Sequence, residues 1–282
     1  MNIPGPVVDA AWLEQAMGDP ALVVADVRWY SQGGGREAFE GGHIPGAVFL
    51  DVDADLAGPI AGDSGRHPLP LPEEYAKAMR RAGIGDETAV IAYDDAGGSN
   101  AARLWWMLRI TGHQAAVLDG GLAAWTGPLE QGGEAERPAA SFTPRPWPRD
   151  RVVDATEVNR LRRDPSAVVL DARAPERYRG EVEPIDVVAG HIPGVRNAPW
   201  AMNLDPDTGR FLSPDELRRR YQALGVDGTH SVVAYCGSGV TSCHDVLALE
   251  IAGLGDARLY VGSWSGWIAG LSRPMAKGPD PG

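Results

Sequence analysis

Short apolar runs alternate with amphipathic stretches along the chain. The runs are rich in β-branched residues, as buried parallel strands are, and they span residues 22–27, 89–93, 116–118, 167–171, 232–235 and 259–261. The stretches with helical periodicity are residues 72–82, 100–111, 214–224 and 241–252. Strands that alternate with helices predict an α/β fold with mainly parallel sheets flanked by helices.

The second half of the chain repeats the first. Three correspondences mark the repeat: residues 26–28 (Asp-Val-Arg) with 171–173 (Asp-Ala-Arg), the Gly-His-Ile-Pro-Gly motifs at 42–46 and 190–194, and residues 119–121 with 261–263. A repeat of about half the chain indicates a duplicated domain, because the units of solenoids run to only ~20–50 residues. His43 and His191 occur in both repeats, which favours a structural role for them.

A stretch rich in glycine and proline separates the two repeats. It covers residues 127–150 and includes Pro144-Arg145-Pro146-Trp147-Pro148, a composition that resists helix and strand. We therefore expect a first domain at 1–135, a linker at 136–151 and a second domain at 152–282, all in tandem.

Composition and charge narrow the function. The chain has 282 residues, of which 44% are hydrophobic and 23% charged, as in ordinary globular proteins. A net charge of −12 argues against nucleic acid as a partner. No apolar run approaches the ~20 residues that span a bilayer, so no membrane partner is expected. The first 20 residues lack the pattern of a secretory signal, and we expect a cytoplasmic location.

The chain has two cysteines, Cys236 and Cys243, which excludes a disulfide framework. The two thiols and the neighbouring His244 lack the clustered ligand pairs of a metal site, so no metal is expected. Cys243 falls inside the helical stretch 241–252 and is expected to pack as a small apolar residue.

Cys236 opens a turn that is suited to an anionic sulfur. The turn follows strand 232–235, leads into a helix, and reads Cys236-Gly237-Ser238-Gly239-Val240-Thr241-Ser242. Sites form at the carboxyl ends of strands in α/β sheets, glycines let backbone amides turn inward, and a helix N-terminus adds unpaired donors. A thiol pKa of ~8.5 falls in such surroundings, which predicts a nucleophile. The alternative is a turn that merely joins strand to helix.

This loop resembles the active-site loop of the 3-mercaptopyruvate branch of the rhodanese family of sulfurtransferases. The paired Gly-His-Ile-Pro-Gly motifs, residues 103–107 (Arg-Leu-Trp-Trp-Met) and residues 118–121 (Leu-Asp-Gly-Gly) are similar to other signatures of that family. The resemblance covers nearly the whole chain and implies two tandem rhodanese-like domains.

The resemblance also implies a reaction in two steps without a metal or organic cofactor. Cys236 takes sulfur from a small-molecule donor, 3-mercaptopyruvate, and becomes a persulfide while pyruvate leaves. A thiophilic acceptor then removes the sulfur; it would be thioredoxin, a low-molecular-weight thiol or cyanide. The loop amides of residues 237–242 would hold the persulfide.

Further site residues follow from the resemblance alone. Arg177, and with it Arg179, would bind the anionic group of the donor, although an exposed loop arginine is the plain alternative. Ile185 lies near the place where the branch often has a second arginine. Asp53 and His67 would form a proton relay with the loop serine, Ser238; the alternative is a surface histidine beside an acidic cluster.

The first repeat has Asp94 where the second has Cys236. An aspartate cannot carry sulfur, so we expect the first domain to be structural and to complete the active-site cleft.

The sequence also bears on three alternative functions, of which it excludes one. A cysteine phosphatase of this fold would need an arginine at the position of Ser242 and is excluded. A thiosulfate sulfurtransferase typically has basic residues just after the cysteine, where this chain has Gly237 and Ser238. A non-catalytic sulfur carrier or interaction module is the third alternative.

Overall fold

Two units of contacting residues make up the computed structural model, which describes residues 1–134, 137–138, 140–270 and 272–282. Unit 1 contains Met1–Gly58, Leu69–Trp147 and Thr208–Arg210, and unit 2 contains Pro59–Pro68, Pro148–Asp207 and Phe211–Gly282. The expected junction of first domain and linker, at residues 135 and 136, lies outside the described residues.

Unit 1 is built on a parallel sheet with the strand order β1-β5-β4-β2-β3. Its strands are β1 (Val7–Val8), β2 (Leu22–Asp26), β3 (Val48–Phe49), β4 (Ala89–Tyr93) and β5 (Ala115–Leu118). Its helices are α1 (Ala10–Ala16), α2 (Gly35–Gly41), α3 (Pro72–Arg81), α4 (Ala101–Ile110) and α5 (Gly121–Ala124).

Unit 2 has the corresponding strand order, β6-β10-β9-β7-β8, again parallel. Its strands are β6 (Val152–Val153), β7 (Ala167–Asp171), β8 (Arg196–Asn197), β9 (Ser231–Tyr235) and β10 (Arg258–Tyr260). Its helices are α6 (Ala155–Leu161), α7 (Pro175–Tyr178), α8 (Pro214–Ala223), α9 (Ser242–Ile251) and α10 (Ser263–Ala269), with a 3₁₀ turn at Trp200–Asn203.

The α/β fold class predicted from the sequence is confirmed. All six predicted strands and all four predicted helices are present within one residue of their expected ends. The edge strands β1, β3, β6 and β8 escape prediction because each has two residues, too few to show a hydrophobic pattern. The central strands are buried almost throughout, which explains their unbroken apolar runs.

Two histidines shared by the two repeats make equivalent contacts in the two units. Nδ1 of His43 donates to the Phe39 carbonyl at 2.8 Å, and the imidazole stacks on the Phe39 ring. His191 makes the same two contacts with Tyr178, with the hydrogen bond again at 2.8 Å. Both histidines are buried. Their equivalent surroundings in the two units fit the structural role that their duplication predicts.

Two segments pack differently from the expected boundaries. Residues 59–68, expected in the first domain, lie in unit 2, where Gly65 approaches the Gly262 carbonyl and the amide of Arg66 donates to Ser265 Oγ at 3.1 Å. Of the expected linker, residues 140–147 pack with unit 1, where Phe142 is buried. A high content of glycine and proline indicates that a segment lacks helix and strand, but it does not indicate which domain the segment packs against.

Within the described ranges, no helix is long and apolar enough to cross a membrane. The same residues contain no group of three or more His, Cys, Asp or Glu side chains that could hold a metal ion.

Candidate active site

Cys236 directly follows β9, the middle strand of the unit 2 sheet. The chain then turns through residues 237–241 and enters α9 at Ser242. The thiol therefore lies at the carboxyl end of a parallel strand and at the N-terminus of a helix, where backbone N–H groups are unpaired and the helix dipole favours negative charge. This is the placement that the sequence predicts.

Hydrogen-bond donors surround the sulfur of Cys236. The amide of Gly239 donates to Sγ at 3.1 Å, and the hydroxyl of Ser242 does so at 3.4 Å. Burial raises the pKa of the Cys236 thiol, but side-chain hydrogen bonds from Ser242 and Thr241 and backbone hydrogen bonds from Ser238 and Ser242 outweigh it. The net effect lowers the pKa of the thiol below its ordinary value. The loop thus favours a thiolate, and it does so with groups that would also stabilise a persulfide anion.

Two guanidinium groups lie beside the loop at Gly237. A β-carbon added to Gly237 would lie 2.9 Å from Nη2 of Arg66 and 3.5 Å from Nη2 of Arg177. Glycine at this position leaves the space that both groups occupy. The sequence predicts Arg177 here but misses Arg66, because the fold brings residues 59–68 into unit 2. The adjacent motif Gly65-Arg66-His67-Pro68 was the available signal.

Buried carboxylates hold these two arginines in place. Arg177 pairs with Glu183 at 2.6 Å and with Asp186 at 3.3 Å, and Arg66 also pairs with Asp186. Burial raises the pKa of Asp186. Burial also opposes ionisation of Glu183, but the hydrogen bond and charge of Arg177 together with the backbone amides of Asp186 and Ile185 outweigh it and lower the pKa of Glu183. Asp186 therefore bridges both guanidinium groups, and guanidinium groups are suited to bind carboxylates through charge-assisted hydrogen bonds.

The other site residues expected from the sequence lie in different parts of the structure. Ser238 and His67 are both buried within unit 2. Asp53 is an exposed residue of unit 1 whose Oδ2 accepts from Trp29 Nε1 at 2.7 Å. Arg179 pairs with Glu181 at 2.8 Å and is not one of the two arginines beside Gly237. The relay of Asp53, His67 and Ser238 stays a prediction.

In unit 1 the equivalent loop is filled by its own side chain. Asp94 directly follows β4 and is buried. Its Oδ1 accepts from the amides of Ala96 and Gly98 at 2.9 and 2.8 Å, and its Oδ2 accepts from Asn100 and Ala101 at 2.8 and 2.9 Å. Four amides that could hold an anion thus hold the Asp94 carboxylate, which explains how this loop keeps its shape without a cysteine.

The chain consists of two similar parallel α/β units, and a loop in the second unit stabilises a thiolate. These features are typical of a class of protein whose chemistry uses an anionic cysteine sulfur. The family described as "Rhodanese-like domain" matches residues 9–128 and 154–270 of the chain. The chain therefore belongs to the rhodanese family.

Several curated relatives span nearly the whole chain. A "Probable 3-mercaptopyruvate sulfurtransferase" of Pseudomonas aeruginosa is 43% identical over 96% of this chain and 98% of its own length. The "3-mercaptopyruvate sulfurtransferase" of Escherichia coli is 36% identical over 95% and 96%. A "Putative thiosulfate sulfurtransferase SseB" of Mycobacterium tuberculosis is 38% identical over 93% and 92%.

A solved structure agrees with these sequence relatives. SseA from Escherichia coli, described among the 3-mercaptopyruvate sulfotransferases, has a TM-score of 0.81 and 34% identity, covering 93% of this chain and 99% of its own. The protein is thus an enzyme, a sulfurtransferase of the 3-mercaptopyruvate or thiosulfate type.

Proposed function

We propose that this enzyme moves sulfur from 3-mercaptopyruvate through a persulfide on Cys236 to a thiophilic acceptor. The observation that carries the proposal is the set of donors directed at one buried sulfur, with the pKa of the thiol lowered as a result. The names of the relatives in Pseudomonas aeruginosa and Escherichia coli support the choice of donor.

The reaction is balanced without a metal, a redox partner or an organic cofactor. The Cys236 thiolate attacks the sulfur of the donor, a sulfur–sulfur bond forms, and the carbon–sulfur bond breaks. The electron pair of the broken bond stays on carbon as the enolate of pyruvate, and the thiol proton of the donor ends on that carbon. An acceptor thiol or cyanide then attacks the outer sulfur, and the Cys236 thiolate is restored.

Arg177 and Arg66 together would bind the carboxylate of the donor. Both guanidinium groups lie beside loop position 237, and Asp186 already bridges them with a carboxylate. Planar guanidinium groups bind carboxylates through paired, charge-assisted hydrogen bonds. In this arrangement Arg66 supplies the second cation that the exposed Ile185 cannot.

Ser238 and His67 would carry the proton from the donor thiol to the carbon of the leaving enolate. Ser238 belongs to the loop, and its amide already contributes to lowering the pKa of Cys236. A histidine moves protons readily near neutral pH. Asp53 is expected to take part on the family resemblance alone.

A thiosulfate donor is the second candidate, and Arg66 is the observation that favours it. The loop itself contributes no basic side chain, but Arg66 and Arg177 bring two positive charges beside Gly237. A compact dianion would be attracted to such a pair. The relative in Mycobacterium tuberculosis has the corresponding name.

The choice of donor is tested by steady-state kinetics with a common acceptor. We expect a higher kcat/KM for 3-mercaptopyruvate than for thiosulfate. Arg177→Ala and Arg66→Ala should each lower kcat/KM for 3-mercaptopyruvate by about 10- to 100-fold, because a charge-assisted contact commonly contributes about 1.5–3 kcal/mol.

Arg160→Ala is the matched control, since Arg160 is exposed on α6 and pairs with Glu157. It should leave kcat/KM unchanged. Thermal unfolding of each variant shows whether Glu183 and Asp186, which lose a partner, still permit folding. Equal or better turnover of thiosulfate would refute the choice of donor but leave the Cys236 persulfide standing.

A further inference from the structure

Ser263 has an unusual backbone conformation directly beside the nucleophile. Its φ is 52°, and among the described residues it is the one non-glycine residue with a positive φ. It is fully buried at the start of α10. An L-residue other than Asn, Asp or Gly seldom adopts this region, because its Cβ crowds the backbone, and such strain concentrates at functional sites.

Unit 1 shows what this position looks like without the strain. The amide of Trp264 donates to the carbonyl of Cys236 at 2.9 Å, and in unit 1 the amide of Leu122 donates to the carbonyl of Asp94 at 2.8 Å. Ser263 therefore corresponds to Gly121, whose φ is 57°. The repeat with an aspartate has a glycine here, whereas the repeat with a cysteine has a strained serine.

The hydroxyl of Ser263 contacts the nucleophile in two ways. It accepts a hydrogen bond from the backbone amide of Cys236 at 3.1 Å, and it lies 4.0 Å from Sγ of the same residue. Its hydrogen is donated to the Tyr260 carbonyl at 2.9 Å. Because a hydroxyl rotates freely about its C–O bond, that hydrogen has two acceptors in reach, the Tyr260 carbonyl and the sulfur.

We propose that Ser263 is a positioning residue for Cys236: its hydroxyl fixes the amide at the start of the loop and turns its hydrogen toward the sulfur when the sulfur is anionic. The proposal rests on Cys236 as the residue that carries sulfur. It accounts for a serine with positive φ at a position where the corresponding residue of unit 1, Gly121, is a glycine with a similar φ.

Two variants of the full chain show whether Ser263 positions Cys236 or only supports the fold. Ser263→Gly removes the hydroxyl and relieves the strain, whereas Ser263→Ala removes the hydroxyl and keeps a β-carbon. In both, the pH midpoint of Cys236 alkylation by iodoacetamide, localised by mass spectrometry, should rise by about half to one pH unit. Sulfur transfer should fall about 3- to 10-fold, since one hydrogen bond is lost. The melting temperature of Ser263→Gly should stay close to that of the parent, because relief of the strained φ offsets the loss of the acceptor of the Cys236 amide.

Ser166→Gly is the control. Ser166 is exposed and lies just before the amino-terminal end of β7, whereas Cys236 follows the carboxyl end of β9. A Ser263→Gly variant with the alkylation profile and transfer rate of the parent would overturn the proposal. A parallel loss of melting temperature and activity in both variants would also overturn it, because that result would mean that Ser263 only supports the fold. Alkylation needs no turnover, so a failure of the sulfur-transfer reaction itself would show separately.

Discussion

Replacing Cys236 with serine is expected to abolish sulfur transfer, with a loss of more than about a thousand-fold in kcat/KM. The donors at the loop hold and acidify a sulfur, and the lowered pKa of the thiol supplies the thiolate that attacks the donor. A serine hydroxyl remains protonated at neutral pH and forms no stable bond to a sulfane sulfur. Thiocyanate formed from 3-mercaptopyruvate and cyanide measures the effect.

Cys243→Ser is the matched control for this variant. Cys243 is buried in α9, and its thiol donates weakly to the Gly239 carbonyl at 3.5 Å, a contact that a serine hydroxyl can keep. Most of the activity should therefore remain. Full activity in the Cys236 variant, or its loss only in the Cys243 variant, would place the chemistry elsewhere.

Replacing Asp94 with alanine is expected to lower the free energy of unfolding by about 3–5 kcal/mol. The carboxylate accepts from four loop amides, those of Ala96, Gly98, Asn100 and Ala101. Alanine would leave these buried donors without an acceptor, and each such group costs about 1–3 kcal/mol unless the loop relaxes. Urea unfolding followed by tryptophan fluorescence measures the loss.

Asp95→Ala provides the comparison for Asp94. Asp95 is exposed, and it accepts from the hydroxyl of Tyr30 at 2.6 Å, so its loss should change stability by about 1 kcal/mol or less. If the two variants are equally stable, the Asp94 carboxylate does not hold the loop of unit 1.

The elements of the fold could be predicted because the central strands are buried on both faces. Such strands read as continuous apolar runs, and β2, β4, β7 and β9 all show this pattern. Two-residue edge strands leave no pattern, so pairing alone defines them. The duplication was visible in the motifs because the same buried contacts recur in both units, as with His43 and His191.

The candidate site was predictable where its residues are consecutive and not where the fold assembles it. The loop from Cys236 to Ser242 is local, and its chemistry follows from residue types in order. Arg66 reaches Gly237 only because the chain at Gly65 comes close enough to Gly262 that a side chain would not fit. This close approach belongs to the tertiary structure, and a single glycine in the sequence does not indicate which other segment will pack against it.

Ser263 left a fainter signal in the sequence. Aligning residues 119–121 with 261–263 pairs it with Gly121, a substitution of serine for glycine. The sequence does not reveal that this position has a positive φ, and without that fact the exchange looks conservative. Comparing the two repeats in structure supplies the missing information.

Mass spectrometry of the intact chain after exposure to 3-mercaptopyruvate, without an acceptor or reductant, tests the central claim most directly. We predict one added sulfur atom on the peptide that contains Cys236, removed on addition of cyanide and never formed in Cys236→Ser. Turnover without any added sulfur on the protein, or added sulfur on Cys243 instead, would contradict the account.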